Sequence, residues 1–84
     1  MEQAATTILR GVDELLKDGH IFVALRITKD IGYHLCGDTP QLRNDFKRID
    51  SMVQEKNFDK VRELLNAVIG RLRNYADAPR GSEV

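Results

Sequence analysis

The chain of 84 residues has a single cysteine, Cys36, and no tryptophan. One cysteine excludes an internal disulfide framework and is the usage of a reducing cytoplasm. Net charge of either sign is missing too, because thirteen basic residues balance thirteen acidic ones. That balance argues against a nucleic-acid binder, which uses a net basic face to displace counterions from phosphates. No apolar run nears the roughly 20 residues of a membrane span. The N-terminal stretch MEQAATTILRGVDELL has no basic region followed by an apolar block, so it does not read as a secretory signal. Proline occurs only twice, and strand-type alternation is nearly absent. What remains is one small mixed-charge domain, of a size whose stability tops out on the order of 5–10 kcal/mol.

Helical spacing fills that domain. Ala5, Ile8, Leu9, Val12, Leu15 and Leu16 recur three and four apart, predicting a first helix over 2–17. Gly19 ends it, since glycine accepts the left-handed conformation past a helix end. Ile21, Ala24, Thr28, Ile31 and Leu35 predict a second helix over 20–35. Its opening IFVAL is β-friendly, but the helical pattern continues to Leu35. Thr39 reads as an N-cap with Pro40 at the first helical position, where a missing N–H is harmless. Leu42, Phe46, Ile49, Met52 and Val53 predict a third helix over 40–55. Asn57 caps a fourth, striped by Phe58, Val61, Leu65, Val68, Leu72 and Tyr75 and flanked by Leu64 and Ile69. The expected organisation is one all-α domain over 1–76, two hairpins at 2–36 and 40–75, with residues 77–84 as a disordered tail.

The two hairpins repeat each other. Shifted by 37 residues, Ala5 meets Leu42, Leu9 meets Phe46, Val12 meets Ile49 and Leu16 meets Val53. Across the joint, Ile21 meets Phe58, Ala24 meets Val61, Ile31 meets Val68 and Leu35 meets Leu72. Ile8 against Asp45 and Thr28 against Leu65 break the pattern. A period of roughly 20–50 residues marks stacked helical hairpins. The joints LLKDGHIFVALRITKDI and VQEKNFDKVRELLNAVI resemble those of tetratricopeptide repeats. Gly19, Ile21 and Ala24 occupy the family's glycine, aromatic and small-residue places in the first copy, and Lys56, Phe58 and Val61 occupy them in the second. The family's first-helix tryptophan and Leu-Gly positions are unmatched, and the period is longer than its own. The fold expected is therefore two helical hairpins, as a tetratricopeptide-like stack or a closed antiparallel four-helix bundle.

Candidate chemistry is thin. His34-Leu35-Cys36-Gly37 is similar to the His-any-Leu-Lys-Gly run of histidine-phosphotransfer domains, with the lysine absent and the glycine one place early. That similarity implies, as an alternative function, phosphoryl transfer through His34 without the lysine charge that helps hold the group. His20 and His34, with Cys36 near the second, match no zinc spacing, so no metal is expected. His34 and Cys36 are two apart and point different ways on a helix, which leaves Cys36 as a buried or interfacial thiol. Asp13 with Glu14, and Asp45 with Asp50, read as solvated helix faces. Gly37 to Thr39 is a loop and cap, since no strand precedes it and no lysine follows in place. No cofactor and no catalytic residue is implied.

A surface for another protein is the better expectation. In a tetratricopeptide-like stack the first helices line a concave face, which the resemblance places at Leu9, Leu16, Phe46 and Val53, with Asp13 and Asp50 between them. A partner helix or extended peptide fits such a face. The fourth helix has eight large apolar residues between Phe58 and Tyr75, too many for one neighbour. It sits mid-bundle or meets another chain, which adds Phe58, Leu65, Val68 and Leu72 to the partner-binding set. The expected function is a small non-enzymatic cytoplasmic adaptor or chaperone, similar in size and hairpin pattern to chaperones of flagellar and type III secretion. A homodimer through the Phe58–Tyr75 face is the structural alternative. A DNA-reading helix-turn-helix is disfavoured, because no helix presents a clean basic face beside Asp45, Asp50 and Glu55.

Overall fold

A computed structural model describes residues 2–77, as four helices: α1 Glu2–Lys17, α2 Ile21–Cys36, α3 Pro40–Gln54 and α4 Phe58–Asp77. IFVAL is the first turn of α2, as its helical continuation predicted. Of the expected tail only Asp77 is described, as the end of α4; residues 78–84 lie outside the described residues. The caps fall where the sequence put them. Thr39 is extended and its Oγ1 accepts from the Leu42 amide at 3.3 Å, with Pro40 opening α3. Asn57 Oδ1 accepts from the Lys60 amide at 3.4 Å, ahead of α4. His20 precedes α2 without a side-chain cap, although its carbonyl accepts from the Ala24 amide.

The repeat is strongest at the α1–α2 and α3–α4 joints, whose backbones make the same bonds 37 residues apart. Asp18 donates to Glu14, Gly19 to Leu16, and His20 to Leu15. Glu55 donates to Ser51, Lys56 to Val53, and Asn57 to Met52. This paired closure satisfies helix-end carbonyls and requires one residue in the left-handed region just past the helix. Gly19 takes that place with φ 89° and Lys56 takes it with φ 58°. The second copy thus adopts a glycine conformation without glycine.

Each joint is three residues long, which makes consecutive helices antiparallel neighbours. α4 packs on all three other helices, and its closest partnership is with α1. α2 and α3 touch least, while α1 and α3 do not approach within 8 Å between Cα atoms. The bundle is therefore closed by α1 against α4, and α2 and α4 meet across its short diagonal. A stack with α1 laid on α3 is not this arrangement. The molecule is correspondingly flat, with extents of 46 × 28 × 16 Å.

The core follows the repeated stripe. Leu9 and Phe46, Val12 and Ile49, Ala24 and Val61, and Ile31 and Val68 are buried as matching pairs. Fully burying a side chain of this kind stabilises by about 1.5–3 kcal/mol relative to leaving it exposed. The mismatches have local explanations. Thr28 is buried, and its hydroxyl donates back to the Ala24 carbonyl at 2.7 Å. Ile8 stays largely exposed, while Asp45, its counterpart, is half-buried and pairs with Arg71. Gly32 sits where α2 meets Leu42 of α3 and Leu72 of α4.

Candidate functional site

Six of the eight residues expected to bind a partner lie inside the bundle. Leu9, Leu16, Phe46, Leu65, Val68 and Leu72 are each at most 3% exposed. Val53 is half-buried against the core, and Phe58 alone is well exposed. The concave face along the first helices is not formed, because α1 and α3 are separated and their stripes turn inward onto α4 and α2. The wide face of α4 is likewise taken up within the chain. Val61, Leu65, Val68, Ile69 and Leu72 are buried, so the crowding that suggested a homodimer is relieved by α1, α2 and α3.

The apolar surface that remains is gathered elsewhere. Phe22 is 60% exposed, Val23 50% and Phe58 37%. Phe22 and Val23 open α2 and Phe58 opens α4, so all three lie at the end of the bundle that carries the two repeated joints. The Phe22 and Phe58 rings meet edge to face, 6.0 Å apart and at 82°. This is a favoured arrangement, since the positive ring edge meets the negative face. It fixes the position of both rings while leaving much of their carbon in water. Phe22 was not singled out in the sequence, yet the signal was present. Phe22 and Val23 lie off the stripe formed by Ile21, Ala24, Thr28 and Ile31.

Away from the joints, Ile8 midway along α1 and Tyr75 near the far end of α4 are also exposed. An open cleft there is lined by Cys36, Leu42, Leu72 and Tyr75, and its charged wall is the Asp45–Arg71 ion pair. The pair neutralises the cleft, and Cys36 is half-buried on its edge. His34 and His20 are both exposed, the first near the end of α2 and the second in the α1–α2 joint. Among the described residues no three His, Cys, Asp or Glu side chains gather in a position to hold a metal ion. No described helix is long and apolar enough to cross a membrane.

The remaining polar surface is laced by ion pairs, exposed or half-buried. Lys29 joins α2 to Asp50 of α3 at 3.1 Å, and Arg73 joins α4 to Asp13 of α1 at 3.3 Å. Asp13 and Asp50, which a concave face would have presented between apolar residues, are instead inter-helix tethers. Each exposed pair contributes on the order of 0–1 kcal/mol, so they set register more than stability. Lys29 also lies 5.8 Å over the Phe46 ring. No protein-family model, no curated protein and no solved structure matches the chain.

Proposed function

We propose that the chain is a small non-enzymatic interaction module, an adaptor or chaperone, that binds a helix or peptide of another protein through the joint end of its bundle. The observation that carries this reading is the Phe22–Phe58 pair, two rings held in contact and left substantially exposed. Aromatic side chains are enriched among the residues that dominate binding energy, and rigid ones lose little entropy on contact. Neither ring belongs to the buried core cluster or to the half-buried side chains packed against it. The patch is small. Two phenylalanines of roughly 200 Å² each, at these exposures, offer far less than the roughly 800 Å² per partner of a stable interface. A helix seated on the rings and on the polar surface around them fits that scale better than a broad self-association.

The test is capture with the full chain as bait, followed by sizing of the complex and repetition with Phe22→Ser and Phe58→Ser. A specific complex lost in both variants, with helicity unchanged, supports the reading. A complex that persists at equal strength in both variants places binding elsewhere and overturns it.

A further inference from the structure

The two hairpins are joined by three residues, Gly37 to Thr39, and they share one core. Leu9, Ala24 and Ile31 of the first hairpin belong to the same buried cluster as Phe46, Leu65 and Ile69 of the second. Neither hairpin keeps that surface from water alone, so the halves hold each other or hold those of another copy. The joint between them is tight. The Gly37 amide donates to the Tyr33 carbonyl at 2.9 Å, and the Thr39 amide donates to the Gly37 carbonyl at 3.0 Å. Arg43 pairs with Asp38 at 3.0 Å. Gly37 itself has φ 71° and ψ −170°, a combination essentially confined to glycine. The positive-φ place in the other two joints is taken once by Gly19 and once by Lys56, so it tolerates a Cβ. An added Cβ at Gly37 meets nothing within 4 Å, so the constraint there lies in the backbone and not in packing. α2 and α3, which this joint connects, touch least of all the helix pairs in contact, so packing beside the joint adds little to hold its course.

We propose that Gly37 is the hinge that closes the two hairpins on each other within one chain, and that without glycine there the hairpins exchange between two copies. In the exchanged pair each first hairpin packs on the second hairpin of the other copy. Every core contact is remade and only the joint changes course. A joint that passes from one body to the other runs extended, a conformation open to any residue. With glycine the closed monomer is favoured, because tethered hairpins meet at a high effective concentration. Without it the strain falls on the closed form alone, and short joints under strain invite exchange. The inference stands apart from the interaction function above.

The experiment compares the full wild-type chain with Gly37→Ala. Each is unfolded in urea, refolded at micromolar and at submillimolar concentration, and sized by sedimentation. The wild-type chain is expected as a monomer at both. Gly37→Ala is expected as a dimer of unchanged helicity after refolding at the higher concentration, with a dimerisation constant raised at least about tenfold. That dimer persists for hours after dilution, because it comes apart only by unfolding, and it returns to monomer once melted and cooled at micromolar concentration. Inserting Gly-Gly after Asp38 in the same variant restores the monomer. Gly19→Ala, whose joint lies inside a hairpin, is less stable but stays monomeric. Gly37→Ala that refolds only as a monomer, or refolds at neither concentration, overturns the proposal. So does a dimer that re-equilibrates within minutes of dilution or survives the insertion, since that is an association of surfaces. A slowly dissociating dimer formed equally by the wild-type chain or by Gly19→Ala overturns the role given to Gly37.

Discussion

Lys56→Gly should stabilise the bundle, and Gly19→Ala should destabilise it. Both positions close a helix end by the same pair of backbone bonds and both have positive φ. For an L-residue with a Cβ, the left-handed region costs roughly 1–2 kcal/mol. Glycine avoids that strain but loses about 0.5–1 kcal/mol more backbone entropy on folding. The difference leaves Lys56→Gly more stable by about 0.5–1 kcal/mol. Lys56 is exposed and makes no ion pair among the described residues, so little else changes when its side chain is removed. At Gly19 an added Cβ meets nothing within 4 Å, so Gly19→Ala measures backbone strain without a clash and costs about 1 kcal/mol. For a domain this small, 1 kcal/mol moves the melting temperature by roughly 4–8 °C. Urea unfolding followed by far-UV circular dichroism reads both variants directly. Shifts of the same sign, or no gain in Lys56→Gly, would refute the claim that the two joints are one conformation made twice.

Other substitutions separate the sources of stability. Leu65→Ala removes a fully buried side chain from the centre of α4 and should cost about 2–5 kcal/mol; a loss under 1 kcal/mol by denaturant titration would contradict the burial. Gly70→Ala puts a methyl into open space on α4 and should add about 1 kcal/mol from helix propensity, seen as a higher urea midpoint with unchanged slope. A double-mutant cycle on Lys29→Ala and Asp50→Ala should give a coupling below about 1 kcal/mol that fades with salt, because the pair is exposed. Sedimentation should find a monomer at micromolar concentration, since the α4 face is buried within the chain; a dimer broken by Val68→Glu without unfolding would restore the self-association alternative.

Local structure was legible in the sequence because its causes are local. Apolar residues three and four apart gave the helices, Thr39 and Asn57 gave two caps, and Gly19 gave a helix end. The repeat was legible because both stripes and their joint had to agree at one offset. What the stripe does not carry is the identity of its neighbour. Leu9, Leu16, Phe46 and Leu65 read equally well as core and as the floor of a groove, and the choice rests on whether α1 meets α3 or α4. Three short joints allow either. Phe22 is hidden for a related reason: it is an aromatic that falls outside the buried stripe, and the stripe alone gives such a residue no role. Lys56 shows a different limit. Its lack of glycine weakened the likeness between the joints, yet the backbone bonds there impose the same conformation on lysine.

The proposed function requires the bundle to stay closed while its joint end binds. Amide chemical-shift mapping of the isotope-labelled chain, free and with its captured partner, tests that claim most directly. The predicted result is perturbation at Phe22, Val23, Arg26 and Phe58, with Leu9 and Leu16 amides as protected from hydrogen exchange as in the free chain. Loss of that protection along α1, with the largest shifts at Leu9, Leu16 and Phe46, would mean that the bundle opens to offer its core, and would contradict it.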